Sequence, residues 1–78
     1  MSDMIALDYW KKVKTRELVQ LHNSLPFTIW TELRPLLKSV NFTDDKSEAL
    51  AIRNVRLFAL SHPGSDVNTL MKVYKIKE

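Results

Sequence analysis

The segment Thr43–His62, TDDKSEALAIRNVRLFALSH, is the longest uninterrupted helical pattern in the chain and decides its fold class. At about 100° per residue, Ala51, Ile52, Val55, Phe58 and Ala59 gather on one wide face. Ala49, Leu50, Leu57 and Leu60 gather on a second, with only narrow polar wedges between. A helix apolar on two faces calls for neighbours on both, so the spacing predicts a central helix over about 43–61. Thr43 is the expected N-cap, its hydroxyl accepting from a first-turn amide, while Asp44 and Asp45 oppose the positive helix end. Arg53 falls inside the second apolar stripe and has two readings. Either its stem covers Leu50 and Leu57 while the guanidinium reaches water or a carboxylate, or it contacts a partner.

Working outward toward the N-terminus, Phe27, Trp30, Leu33, Leu37 and Val40 give one core-facing side of a preceding helix. Pro26 suits its first position, where the missing N–H would be unpaired in any case. Pro35 cannot donate to the carbonyl of Thr31, so the expectation is a kink, or two short helices meeting at Arg34. Asn41 is the expected left-handed terminator. Earlier still, Ser2 or Asp3 caps a first helix with Ala6, Leu7, Tyr9, Trp10 and Val13 on one side. Continuing that helix would put Glu17 into the apolar stripe and Val19 opposite it. A kink or a new helix at Thr15 is therefore expected, with Leu18, Leu21, His22 and Leu25 sharing its face.

Toward the C-terminus, Ser61-His62-Pro63-Gly64-Ser65 is the only proline-glycine turn. Ser65 or Asp66 caps a last helix in which Val67, Leu70, Met71 and Tyr74 recur at helical spacing, with VYKI at 73–76 able to continue as helix or extend as a strand. The architecture expected from these segments is all-α: one domain over residues 1–78, with four to five short helices around the central one.

Composition bounds the function. Seventy-eight residues with 45% hydrophobic content make one compact domain, and a chain of this size buries only about 60% of its unfolded surface. Without cysteine there is no disulfide or thiolate site, and two distant histidines do not form a structural zinc set. The opening MSDMIALDYWKK carries acids before a very short apolar run, unlike a secretory signal, and no segment reaches the roughly 18 apolar residues of a membrane span. The expectation is a soluble, cytoplasmic protein with no membrane partner. A net charge of +3 and a pI of about 9.4 permit an acidic partner without demanding one.

No nucleophile–base pairing, paired carboxylates or phosphate-cradling loop is present as a motif, so neither an enzyme nor a cofactor is expected. His62 reads as a helix-end residue, Asp44 and Asp45 as capping residues, and His22 as a hydrogen-bonded, semi-buried one. The aromatic residues exceed what so small a core can fully bury, which makes Trp10 and Trp30 candidate anchors for a protein partner or for self-association, with Arg53 as a third candidate. The basic run Lys11, Lys12, Lys14 and Arg16 is either a solvated helix face or a phosphate-contacting patch. The last two helices have the layout of a helix-turn-helix, although the Ala59–Gly64 spacing is one residue long for that motif. The outer face of the final helix would then offer Asn68, Thr69, Lys72 and Lys75 to nucleic acid. A non-enzymatic regulatory or adaptor protein acting through protein contact, with a homodimer as one form of that contact, is the leading expectation; a small DNA-binding regulator is the alternative.

Overall fold

The computed structural model describes the backbone over residues 2–75 and side chains over residues 8–75. Four helices make up the described chain: α1 (Ser2–Ser24), α2 (Phe27–Ser39), α3 (Asp45–Ser61) and α4 (Val67–Lys75). The expected all-α class and helix number are thus found. The cap expected from Ser2 or Asp3 lies outside the described side chains, as does Ile76 of the VYKI segment. Residues 73–75 are helical.

The break expected near Thr15 is absent, and α1 runs unbroken for 23 residues. The reason is visible in its buried stripe. Val13, Glu17 and Leu21 recur at i, i+4 and i+8 and all lie inside, Glu17 only 3% exposed. An apparent slip in hydrophobic register is therefore a continuous helix with a carboxylate seated in its core face. That carboxylate is paired: Arg53 Nε donates to Glu17 Oε2 and Arg56 Nε to Glu17 Oε1, each at 3.1 Å. One turn earlier, Lys14 Nζ lies 3.0 Å from Asp45 and 3.6 Å from Glu48. Lys14 thus pairs with the start of α3 and Glu17, one turn on, with its middle, so the two helices run in the same direction. Of the two readings of Arg53, the guanidinium reaching a carboxylate is what the structure shows.

Helix α2 starts one residue later than expected, with Pro26 as its N-cap; the Pro26 carbonyl accepts from the Trp30 amide at 3.0 Å. It then passes through Pro35 without dividing at Arg34. Pro35 is exposed, so its ring and the undonated Thr31 carbonyl face water, which lowers the cost of the missing hydrogen bond. The helix ends on extended Val40, and no residue other than Gly64 has positive φ among the described residues, so Asn41 is not a left-handed terminator. Phe27, expected in the core, is 73% exposed, since it stands in the first turn of α2 about 90° round the helix from the buried Trp30, Leu33 and Leu37 stripe.

The N-cap of α3 is Asp44 rather than Thr43; its carboxylate accepts from the Ser47 amide at 2.8 Å. The same device starts α4, where Asp66 accepts from the Thr69 amide at 2.8 Å. These bonds hold both carboxyls below the ordinary 3.8. Between α3 and α4 the chain turns at Gly64, whose φ of 86° suits only glycine well.

The core joins Leu21 of α1, Trp30, Leu33 and Leu37 of α2, Ala51, Ile52 and Val55 of α3, and Leu70, Met71 and Tyr74 of α4. Helix α3 packs against α1 and α4, and α2 packs against α4. The second apolar stripe of α3 is covered only at its start: Ala49 is buried, whereas Leu57 and Leu60 are exposed. No described helix is long and apolar enough to cross a membrane.

Candidate functional site

Helices α1 and α2 are consecutive and antiparallel, yet they are not among the closely packed pairs. They are joined near the Leu25–Pro26 turn by the His22 ring stacked on Trp30, with centroids 4.9 Å apart. Beyond that bridge the two helices line a groove of about 290 Å³. Its α1 wall is Leu18, Val19 and His22; its α2 wall is Trp30, Arg34, Leu37 and Lys38. Glu48 of α3 lies at one end, within reach of Lys14.

The floor and rim differ in chemistry. Trp30 and Leu37 are buried and belong to the core, so the floor is rigid. Val19, 54% exposed, gives the α1 rim an apolar edge facing solvent. Arg34 and Lys38, four residues apart and so on one side of α2, are exposed and form no ion pair among the described residues. The walls are helices whose backbone groups are consumed internally, so this surface offers side-chain contacts and no strand-pairing edge.

Of the candidate anchors named from sequence, Trp30 forms the buried base of this groove, and Trp10 is half-buried elsewhere on α1. The exposed Tyr9 ring meets Trp10 edge to face at 5.1 Å, and Lys46 Nζ sits 5.7 Å from the Trp10 ring centre, a cation–π contact between α1 and α3. Arg53 is engaged by Glu17. The structure does not bring the three together.

The basic run is divided. Lys14 turns toward α3, where its hydrogen bond with Asp45 holds the ammonium above its ordinary 10.5. Lys12 pairs along the helix with Asp8 at 3.4 Å. Lys11 and Arg16 are exposed and border a shallow depression with Lys12 and Thr15. On α4, Asn68, Lys72 and Lys75 are exposed and share one face, while Thr69 is half-buried with its amide committed to Asp66. His62 caps α3, its amide donating to the Phe58 carbonyl at 2.8 Å and its ring stacked on Phe58. Among the described residues, no three histidine or acidic side chains are grouped to hold a metal.

Val19, Arg34 and Lys38 were not among the sequence candidates. Val19 carried a signal, as the one large apolar residue falling opposite the stripe of a continuous α1. Arg34 and Lys38 carried none, because a cation pair at i, i+4 is what any solvated helix face presents. The chain matches no known family model, no curated protein and no solved structure.

Proposed function

We propose that this is a small non-enzymatic regulatory or adaptor protein that acts by protein–protein contact, receiving a segment of its partner in the α1–α2 groove. In this reading α3 is the internal support that holds α1 and α4 in place. The observation that supports it is the groove itself: two consecutive, loosely packed helices on either side of a buried tryptophan and leucine floor, with an exposed apolar edge at Val19. Interface hot spots are anchors that a partner desolvates within a ring of water-excluding contacts, and here Val19 at the rim is the apolar surface left for a partner to cover. A second copy of the chain is an occupant this reading admits, giving a homodimer.

The test uses Val19→Asp, which charges the rim at an exposed site without touching the core. Peptides selected from a display library against the natural protein lose binding to this variant, and any self-association seen by sedimentation is lost with it. A selection that yields no binder, or binders indifferent to Val19→Asp, refutes the reading.

A second reading rests on a different surface. Asn68, Lys72 and Lys75 form one exposed face of α4, which has no acidic residue within its span, and the helix follows a turn after α3 as in a helix-turn-helix. Under this reading the protein binds duplex DNA at low salt, and Lys72→Glu with Lys75→Glu abolishes the binding. Absent binding, or binding unchanged by the two substitutions, removes it.

A further inference from the structure

We infer that the occupant of the α1–α2 groove is an acidic amphipathic helix about two turns long, contributed by a partner protein. This rests on reading the groove as a protein-docking site and specifies the chemistry of what docks there. Length comes first: from Trp30 to Lys38 the α2 wall rises eight residues, about 12 Å, or roughly two helical turns. The volume of about 290 Å³ sits at the lower limit for small-molecule pockets and matches a short row of apolar side chains better than a whole ligand. Because both walls are helices with no unpaired strand edge, an extended segment would gain no backbone hydrogen bonds, whereas a helix laid along the groove needs none.

Charge then sets the partner's sign. Arg34 and Lys38 project from the same side of α2 beside the apolar floor, and neither forms an ion pair among the described residues. The one carboxylate lining the groove, Glu48, shares Lys14 with Asp45, at 3.6 and 3.0 Å, and faces two cations, Arg34 and Lys38, along the same groove. A docking helix with apolar residues at i, i+3, i+4 and i+7 places its flanking positions against Arg34 and Lys38. Carboxylates there meet cations, and lysines there meet like charge.

The experiment titrates the isotope-labelled full chain, at low salt, with three synthetic helical peptides sharing one leucine stripe and differing only in flanking residues: glutamate, glutamine or lysine. The glutamate peptide shifts the amide signals of Leu18, Val19 and His22 and the Trp30 indole, and binds about tenfold tighter than the lysine peptide. Arg34→Glu with Lys38→Glu, both exposed and checked for an unchanged melting curve, reverses that order. If all three peptides bind equally, or the order survives charge reversal, the acidic partner is overturned while the docking groove stands. If none shifts the groove signals, both fall. A short DNA duplex that moves Arg34 and Lys38 signals and leaves Leu18 and Trp30 unmoved, with no peptide bound, assigns these cations to phosphate and overturns the inference.

Discussion

Removing the Glu17 carboxylate tests the packing logic of α1 most directly. Glu17→Ala leaves Arg53 and Arg56 facing a buried gap, and breaking a fully buried pair in this way costs about 3–5 kcal/mol. Here the two arginine side chains retain 39% and 20% of their exposure and rehydrate in part, so the expected loss is about 2 kcal/mol. For a domain of this size that is a fall in Tm of about 10 °C. Thermal and urea unfolding measure it, with Arg53→Ala, Arg56→Ala and the two double variants completing mutant cycles. Arg56→Ala costs more than Arg53→Ala, because Arg56 is the less exposed. Coupling between Glu17 and Arg56 is about 1 kcal/mol or more. Replacing all three residues together by leucine and methionine restores most of the loss, since no unpaired charge then remains. A Glu17→Ala variant within about 0.5 kcal/mol of the natural protein, or simple additivity with Arg56→Ala, refutes this account.

Three further outcomes follow from the geometry. Tyr74 is fully buried with no partner for its hydroxyl among the described residues, and burial, with the Glu48 charge nearby, holds its phenol well above the ordinary 10.0. Tyr74→Phe is therefore neutral or stabilising by up to about 1 kcal/mol in urea unfolding, and a clear loss would reveal an unseen partner for the hydroxyl. Pro35→Ala restores the amide to Thr31 in a helix already continuous through that point. It stabilises by about 1 kcal/mol or more, and a lower Tm would show that the proline ring contributes packing. Asp44→Ala and Asp66→Ala each lower the Tm at neutral pH. Because both folded carboxyls titrate below their ordinary 3.8, the caps contribute fully above that value and are lost as pH falls below it. The deficit of each variant relative to the natural protein should then vanish in acid, and a deficit constant down to pH about 2 would sink the capping assignment.

How far the fold could be read depended on whether a residue's partner was local. The extents of α3 and α4, the Gly64 turn and Asp66 as one of two candidate caps follow from neighbours within a few residues, and these were legible. Glu17 was not, because the residues that justify it lie 36 and 39 positions away on α3. Read locally, a carboxylate in an apolar stripe signals a broken helix; read with Arg53 and Arg56 opposite, it signals a continuous one. The displaced start of α3 has a smaller cause: adjacent residues compete as caps, and in Thr43-Asp44 the carboxylate, the stronger acceptor, prevails. Phe27 and the Leu57–Leu60 stripe show the other limit, since periodicity says which residues share a face and not whether another helix arrives to cover it. The groove was invisible for the same reason: it exists where α1 and α2 fail to close.

The shared direction of α1 and α3 has a consequence for how the chain acquires its shape. As the polypeptide emerges from the ribosome, α1 appears with Lys14 and Glu17 in its inward face and has nothing to pair them with until α3 follows. The α1–α2 hairpin meanwhile offers little contact of its own, so neither piece is a stable waypoint. Loop closure across more than thirty residues must precede any return from these pairs, which makes α1, although synthesised before α3, among the last of the described helices to be secured.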